Sequence, residues 1–424
     1  MNTGLLLILL LLTLAFLGIP LCFALGLATL AAMAYGDMPF LVIPQKLFTG
    51  IDSVPLLAIP FFLLAGNLMS RGITQKILNL SNALIGSVKG GLGMVTVLAS
   101  AVFAAISGSG VATVSAIGGM TIPAMKKEHY PPPFTAAVAS VSSILGPLIP
   151  PSIFLIVYGS STETSIARLF LAAVIPGLLV AAVLIGYVFF YAIKHNFPVH
   201  GKVSGKEKLR VTADSIWALF MPVLILGGIF WGIFTATEAA AVSAAYALLV
   251  GLFIHKDITV KDLPQILVDS SVTTATVMML LAFSKVSSWV IVTSKLPFEI
   301  LGFFAAMTDS PLVILMFLNI LLFIIGMLME GTAAIVMLTP LVIPLLKTYN
   351  ISTVHFGVIM ALNLCIGLVT PPVGSCILLA NELAGEKLER TLVSALPMIG
   401  LSIIVLLFIT YMPDLTLWLP MHMY

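Results

Sequence analysis

The sequence predicts an all-α, polytopic integral membrane protein with two inverted repeats, each containing a re-entrant helical hairpin and a broken helix. Three observations predict this class: the composition, the apolar runs long enough to cross a bilayer, and a recurring pattern of Pro and Gly residues. Of 424 residues, 60% are apolar and only 8% are charged, whereas soluble domains are about 25% charged. A soluble enzyme, a nucleic-acid-binding protein and a disordered chain are therefore excluded.

The charges and the cysteines exclude some partners and sites but do not indicate a function. Nineteen Lys and Arg residues against 17 Asp and Glu residues give a net charge of +2, which is too balanced to indicate an anionic polymer as partner. Cys22, Cys365 and Cys376 lie in apolar segments without framework spacing. They predict buried thiols, with neither a disulfide pattern nor a metal site.

Long apolar runs predict the membrane spans, because hydrocarbon offers no partner to unpaired backbone groups. Two regions, 92–160 and 329–381, are apolar but interrupted by Gly, Ser, Thr and Pro. The uninterrupted single spans are predicted at 4–35, 54–70, 169–193, 216–234, 236–254, 265–283, 311–328 and 391–411.

The Lys and Arg residues predict the orientation, because cytoplasmic loops retain them. We place the basic linker 194–215 in the cytoplasm and let each single span change the side. Twelve of the Lys and Arg residues, Arg71 and Lys202 among them, then lie inside, and seven, Lys285 and Lys295 among them, lie outside. The N-terminus is therefore predicted inside and the C-terminus outside.

An offset of 221 residues relates the two halves, 1–193 and 216–424. The first half is predicted to hold a hairpin at 92–125 and a broken helix at 134–160, and the second a hairpin at 313–346 and a broken helix at 355–381. The orientation argument gives the two hairpins opposite directions. This arrangement is typical of secondary transporters, whose sites lie at broken helices near the midplane. The matched pairs are Gly110 with Gly331, Pro123 with Pro344, Gly146 with Gly367, Pro150 with Pro371, Pro151 with Pro372 and Pro176 with Pro397.

The paired prolines and glycines favour ion binding. Pro has no N–H to donate and Gly leaves helical dihedrals easily, so backbone carbonyls are freed inside the membrane. Together with Ser and Thr hydroxyls they suit a hard, small monovalent cation, while half-helix N-termini suit an anion. Alternatively, Gly and Ser only allow close helix packing, and the prolines only kink the helices.

Two acids, Glu238 and Glu330, are predicted at membrane depth, where ionisable groups indicate a functional role. Ion coupling, a proton relay and a structural hydrogen bond to a helix end all stay open for them. Asp52 and Asn67 are interpreted as residues that cap or cross-link helices. Segments 72–91 and 295–309 are either interfacial helices or loops.

Several motifs together identify a family. Among them are Ser107-Gly108-Ser109-Gly110, Ile149-Pro150-Pro151-Ser152, Thr237-Glu238-Ala239-Ala240-Ala241 and Thr370-Pro371-Pro372-Val373-Gly374. With Asp52-Ser53-Val54-Pro55, these segments resemble the large membrane subunit of tripartite ATP-independent periplasmic (TRAP) transporters. The similarity extends over nearly the whole chain.

This resemblance implies a sodium-driven symporter of organic acids, such as sialic acid or a C4-dicarboxylate, in the bacterial inner membrane. It implies a small four-helix membrane subunit and a periplasmic substrate-binding protein as partners. In that membrane, the orientation predicted from the Lys and Arg residues puts the N-terminus in the cytoplasm and the C-terminus in the periplasm. The resemblance also implies an elevator mechanism. Sodium is the coupling ion, and no other cofactor and no nucleic acid is expected.

We expect one sodium ion between the first hairpin tip and the first break, and a second between their repeat counterparts. The residues expected around sodium are Ser107, Ser109, Gly110, Gly146, Ile149, Pro150, Gly326, Gly331, Thr332, Gly367, Thr370 and Pro371. The residues expected around the substrate are Ser109, Thr113, Ser142, Thr332 and Asn363.

An alternative is a proton-coupled transporter, or a channel for small anions, that works without a binding protein and gives Glu330 a larger role. An enzyme is not expected, because the chain has neither a phosphate-binding loop motif nor residues with catalytic spacing.

Overall fold

The computed structural model describes residues 2–70, 72–197, 199 and 204–423, and within these ranges every regular element is helical. The predicted all-α class is therefore confirmed. Arg71 and Lys202, which the orientation argument counts as inside, lie outside the described residues.

Twelve α-helices precede the linker. A 3-10 turn, Val54–Leu57, leads into α4, and a π-helical turn, Val114–Gly118, joins α7 to α8. The helices are α1 (Thr3–Phe16), α2 (Leu21–Tyr35), α3 (Val42–Ile51), α4 (Ala58–Ser70), α5 (Ile73–Ile85), α6 (Gly91–Ser107), α7 (Gly110–Thr113), α8 (Gly119–Lys127), α9 (Pro132–Ser142), α10 (Leu145–Leu148), α11 (Ile153–Thr162) and α12 (Ile166–Lys194).

Ten α-helices follow the linker, and a π-helical turn, Val250–Ile254, extends α14. They are α13 (Gly205–Phe230), α14 (Ala236–Leu249), α15 (Leu263–Thr293), α16 (Leu296–Met307), α17 (Pro311–Leu328), α18 (Gly331–Thr348), α19 (Thr353–Gly367), α20 (Ser375–Ala384), α21 (Leu388–Tyr411) and α22 (Asp414–Met423).

The described chain has enough apolar helices for a multi-pass membrane protein, as predicted. With α9–α11 counted as one span, and α14 counted with its π-helical turn, eight are long and apolar enough to cross a membrane, or nine if the bent pair α3–α4 counts as one span. That pair bends by 60° at the break after Ile51. The prolines and the short polar turn there leave the chain without continuous helical hydrogen bonds.

The predicted single span 4–35 is wrong. Gly18, with φ +83°, begins a turn between α1 and α2, and a Cβ on Gly36 would lie 2.7 Å from the Thr3 side chain. The segment is thus an antiparallel hairpin whose two ends meet. The turn sequence Leu17-Gly18-Ile19-Pro20 is nearly as apolar as its flanks, so hydropathy alone does not reveal it.

This hairpin also contradicts the predicted placement of the N-terminus on the side opposite Lys295. Asn2 Nδ2 donates to Ser294 O at 3.0 Å and to Glu299 Oε1 at 2.9 Å. Asn2 therefore lies at the end of the molecule that carries Lys295, whereas the single span had placed the two on opposite sides.

One further segment differs from its prediction, and two others show which of the two predicted structures, helix or loop, they adopt. Residues 205–215 of the predicted linker belong to α13. Segments 72–91 and 295–309 contain the helices α5 and α16, so they are not merely loops.

The repeat extends to the helix bounds. The run from α7 to α8 covers 110–127, and α18 covers 331–348, which is the same range shifted by 221. The helices α9 and α19 begin at Pro132 and Thr353, with the same separation. The domain limits at 193 and 216 stay a prediction.

The two hairpins enter from opposite ends of α12. Lys89, just before the first hairpin, donates to Asn196 Oδ1 at 3.3 Å, beyond the C-terminal end of α12. Thr164, just before α12, donates from its hydroxyl to Thr353 Oγ1 at 3.2 Å, just after the second hairpin. The repeats are therefore inverted, as predicted.

Candidate functional site

The first hairpin turns at residues 107–110, called the first tip below. Gly108 has φ +62°, a conformation that favours glycine. Ser109 then caps the outgoing helix, because its Oγ accepts from Ala112 N at 3.4 Å. The tip thus brings the carbonyl end of α6 beside the N–H end of α7, so opposite partial charges meet at one point.

The second hairpin turns at residues 326–332, called the second tip. Glu330, at the repeat position of Ser109, caps α18: its Oε2 accepts from Ala333 N at 3.1 Å, and its Oε1 accepts from Thr332 Oγ1 at 2.9 Å. Of the alternatives open for Glu330, the structure shows a hydrogen bond to a helix end.

The first broken helix opens at residues 149–152, the first break. The Pro150-Pro151 bond is cis, and Ser152 Oγ donates to Pro147 O while accepting from Leu155 N. Because residue 150 is a proline, the carbonyl of Gly146 lacks its helical donor.

The second broken helix opens at residues 368–374, the second break, and its Pro371-Pro372 bond is also cis. Thr370 Oγ1 donates to Ile366 O at 2.8 Å. Val373 N donates to Met327 O at 3.1 Å. The second break is therefore tied directly to the second tip by a main-chain hydrogen bond.

Each tip lies against the broken helix of its own repeat. A Cβ on Gly146 would lie 2.6 Å from Ser109 O and 2.8 Å from Gly110 N, and a Cβ on Gly367 would clash with the main chain of Gly326. Only glycine permits these two approaches. The tips and breaks predicted from sequence are thus brought together in space.

Each tip also touches the other repeat. A Cβ on Gly110 would lie 3.1 Å from Cys376 Sγ, in α20, while a Cβ on Gly331 would clash with the Phe154 ring, in α11. The two tips and the two broken helices therefore meet in one central region.

A cavity of about 520 Å³, called the first cavity, opens beside the first tip. One wall is the hairpin, with Ser107, Ser109 and Ser115, and the opposite wall is formed by α4 and α15. On that opposite wall the polar residues are Asn67, Ser70 and Thr273.

The residues predicted around the substrate divide into two groups. Ser109 lines the first cavity. Thr113, Ser142 and Asn363 are at most 1% exposed, and the hydroxyls of Thr113 and Ser142 donate to Ser109 O and Val138 O. Thr332 is 4% exposed and bound to Glu330. Ser109 alone of the five is thus placed on an open cavity.

The sequence did not assign Asn67, Ser70 or Thr273 to the site. Asn67 Nδ2 donates to Ser270 Oγ at 2.8 Å, which matches the predicted cross-linking role of Asn67. The sequence could not predict that Asn67 lies on the cavity wall, because the wall forms only when α4 packs against the distant helix α15, which carries Thr273.

Two buried oxygens near the central region lack a hydrogen-bond partner in the described chain: Ser107 Oγ and Asn363 Oδ1. Ser107 is only 6% exposed. The amide nitrogen of Asn363, by contrast, donates to Asn319 O and Oδ1, both at 2.9 Å. A buried oxygen without a donor carries a desolvation penalty that a bound cation or a proton donor would offset.

A larger cavity, about 750 Å³, contains Glu238 but no residue of the tips or breaks. Glu238 there forms a capping box: its Oε2 accepts from Thr235 N at 2.7 Å, and its own N–H donates to Thr235 Oγ1 at 3.3 Å. The structure thus shows a helix-capping role for Glu238, and the repeat geometry favours the first cavity as the site.

Residues 7–415 match the family model described as "Tripartite ATP-independent periplasmic transporter, DctM component". The chain is 39% identical to the isethionate TRAP transporter permease protein DctMQ of Oleidesulfovibrio alaskensis, over 95% of this chain and 64% of the relative. This chain therefore spans slightly less than two thirds of that relative.

Two other relatives match along most of their length. Identity is 39% with the C4-dicarboxylate TRAP transporter large permease protein DctM of Pseudomonas aeruginosa, over 88% of each chain. It is 36% with the sialic acid TRAP transporter large permease protein SiaM of Vibrio cholerae, over 96% of each chain.

The crystal structure of the Alcanivorax borkumensis YdaH transporter is similar in fold. It aligns with a TM-score of 0.60 over 91% of this chain and 90% of that one, at 14% identity. The three relatives reported above are each named as a permease, which confirms the prediction of a transport protein rather than an enzyme. The chain belongs to the DctM family, the large permease component of tripartite ATP-independent periplasmic transporters.

Proposed function

We propose that this protein is a sodium-coupled symporter that imports an organic acid across the bacterial inner membrane. The single observation that carries the proposal is the repeated contact between a hairpin tip and a broken helix, at Gly146 in one half and at Gly367 in the other. Inverted repeats with main chain opened in mid-helix are the arrangement in which transporters hold coupling ions.

Sodium would lie at the two tip-and-break contacts. Hydroxyls and main-chain carbonyls are ligands suited to a hard cation, and the buried, unpartnered Ser107 Oγ supplies one such oxygen at the first tip. The first site would use Ser107, Ser109, Gly110, Gly146, Ile149 and Pro150. The second would use Gly326, Gly331, Thr332, Gly367, Thr370 and Pro371.

The substrate would lie in the first cavity, near Ser109, with Thr113, Ser142, Thr332 and Asn363 behind or beside it. The relatives are named for isethionate, C4-dicarboxylates and sialic acid. All three are organic acids, so the substrate class is a small organic anion. The N-terminal end of the helix that begins at Gly110 is suited to its negative charge.

Two partners complete the proposed system: a small four-helix membrane subunit and a periplasmic protein that delivers the substrate. The family description, a tripartite periplasmic transporter, supports three components. About a third of the longer isethionate permease has no counterpart in this chain, which leaves room for a second membrane subunit there.

In the proposed mechanism the hairpins and broken helices move as one body against α4, α15 and the remaining helices, as in an elevator. The linker would lie in the cytoplasm and the C-terminus in the periplasm. With the linker in the cytoplasm, Asn2, which contacts Ser294, would lie on the periplasmic side.

Uptake into proteoliposomes tests the proposal. The chain is reconstituted with the small membrane subunit and the binding protein of the proposed system, and radiolabelled isethionate, succinate and sialic acid are supplied in turn. We expect uptake of one of them that requires an inward sodium gradient. Uptake that ignores sodium but follows a pH gradient would favour the proton-coupled alternative, and transport of none of the three would contradict the substrate class.

A further inference from the structure

A second, much smaller cavity is related to the first cavity by the repeat. This second cavity measures about 60 Å³ and lies between α15 and the second hairpin. Three of its lining residues, Ser284, Ser288 and Val336, stand 221 positions after three that line the first cavity, Leu63, Asn67 and Ser115.

The two cavities lie at different levels of the molecule. The first cavity touches α15 at Thr273 and the second touches it at Ser284, about 16 Å further along the helix axis. The first measures about 520 Å³ and the second only about 60 Å³. Repeat-related openings of unequal size are expected when a transporter exposes its site on one side at a time.

Lys285 distinguishes the second cavity. Its repeat counterpart is Leu64, and no Lys, Arg or His is found among the described residues lining the first cavity. Lys285 lies eight residues before the end of α15, an apolar helix long enough to span a membrane. An ionisable residue inside a span normally faces a cavity and indicates a functional site.

The surroundings of Lys285 suit an anion. Hydroxyl groups of Ser161, Ser284, Ser288 and Thr339 line the same cavity, and no Asp or Glu is found among its described lining residues. The hydroxyls of Ser284 and Thr339 already donate to main-chain carbonyls, those of Leu281 and Ile335. The ammonium group of Lys285 and the hydroxyls of Ser161 and Ser288 therefore form the donor set for a carboxylate or sulfonate.

We propose that the second cavity is the closed form of the chamber through which substrate arrives, and that Lys285 binds the anionic group of the substrate when that chamber opens. This inference rests on the proposed function, because it assigns a residue to its first binding step. The second cavity, on the arrival side, has the positive charge of Lys285, whereas the first cavity, on the release side, has hydroxyls and no Lys, Arg or His among its described lining residues. This difference would favour capture of the anion in the second cavity and its release from the first.

Kinetics of Lys285 variants test the inference in the reconstituted complex. Lys285→Gln should raise KM for the transported probe about tenfold, the loss expected when a charged hydrogen bond is removed, with kcat changed less than twofold. Lys285→Arg should stay within threefold of the unmodified protein, because it retains the charge. Lys295→Gln, at the same end of α15 but not on the cavity, is the matched control and should leave KM unchanged.

If Lys285→Gln behaves like Lys295→Gln while the unmodified complex shows sodium-driven uptake, the inference fails and the proposed function stands. If the unmodified complex shows no sodium-driven uptake, the proposed function itself fails.

A labelling measurement covers the case in which Lys285→Gln does not reach the membrane. Ser288→Cys is treated with anionic and cationic methanethiosulfonates of similar size, and the labelling of the unsubstituted chain is subtracted. We expect modification from the side that carries Lys295, faster with the anionic reagent, and slowed by the transported probe. Faster reaction with the cationic reagent, reaction only from the opposite side, or no reaction from either side would overturn the inference.

Discussion

Single glycines decide whether the hairpin tips can reach the broken helices. At Gly146 there is no room for a side chain, because the main chain of Ser109 and Gly110 occupies the space where a Cβ would lie. At Gly186, in α12, no atom of the described part of the chain lies within 4 Å of a Cβ. These two glycines therefore form a natural pair for an experiment.

Gly146→Ala should lower sodium-dependent uptake at least tenfold, because the added methyl group pushes the first tip away from the break and misplaces the ion ligands. Gly186→Ala should leave uptake unchanged. Initial rates of radiolabelled substrate uptake, normalised to protein in the membrane, measure both. Normal uptake by Gly146→Ala would contradict an ion site at this contact.

The hydroxyl of Ser107 is a second single group at the first tip that an experiment can test. Among the described residues it has no hydrogen-bond partner although it is buried, and the same holds for the hydroxyl of Ser100, two turns earlier on α6. Removing an unpaired buried hydroxyl relieves a desolvation cost of about 1–3 kcal/mol. In sodium-free buffer, Ser107→Ala and Ser100→Ala should both melt at or above the temperature of the unmodified protein.

Sodium should separate these two variants. It should raise the melting temperature of the Ser100→Ala protein as it does for the unmodified protein, and raise that of Ser107→Ala much less, since only Ser107 is an ion ligand in this account. Thermal melts across a sodium titration give the result. Equal sodium shifts for the two variants would remove Ser107 from the site.

Among the helices, both acids that the sequence predicts at membrane depth, Glu238 and Glu330, cap the start of a helix. Glu330 begins α18 and Glu238 lies in the first turn of α14, and each accepts a main-chain N–H. The sequence pattern could place these acids near apolar helices. It could not choose between capping and ion binding, because that choice depends on where the preceding turn points the carboxylate.

Glu330→Gln should retain most of the uptake, because a glutamine side-chain oxygen can accept the same hydrogen bond from Ala333 N. Glu330→Ala should cost about 1 kcal/mol of stability through loss of the cap. Chemical denaturation and uptake of both variants measure the two effects. Complete loss of uptake in Glu330→Gln would show that the carboxylate charge itself is required.

The hairpins and broken helices were predictable because Pro and Gly leave a sequence signal that survives in both halves. The turn at Gly18 was not, since it is embedded in apolar residues and two short helices resemble one long span. Nor could the wall of the first cavity be foreseen. Asn67 and Thr273 are brought together only by the packing of α4 against α15.

At the scale of the whole molecule, the antiparallel α1–α2 hairpin changes the topology. Asn2 should be reachable from the side opposite the linker, because the hairpin returns to the end that carries Lys295. Intact cells are treated with a membrane-impermeant maleimide. Asn2→Cys should react in intact cells, from the periplasm, whereas Ser204→Cys should react only after the cells are lysed. Labelling of both positions from the same side would contradict this topology.

For the whole molecule, the composition and the apolar runs predict the fold class, the Pro and Gly pattern predicts the repeat, and the Lys and Arg residues predict the inversion. The first cavity could not be predicted in this way, because its walls come from both halves of the chain.

The most direct test of the central claim, that both tip-and-break contacts hold sodium, is the coupling ratio. Net substrate flux in proteoliposomes is measured while the sodium gradient and the membrane voltage are varied, and the reversal condition gives the number of sodium ions per substrate. We predict at least two. A ratio below two, or flux that reverses independently of sodium, would contradict the account.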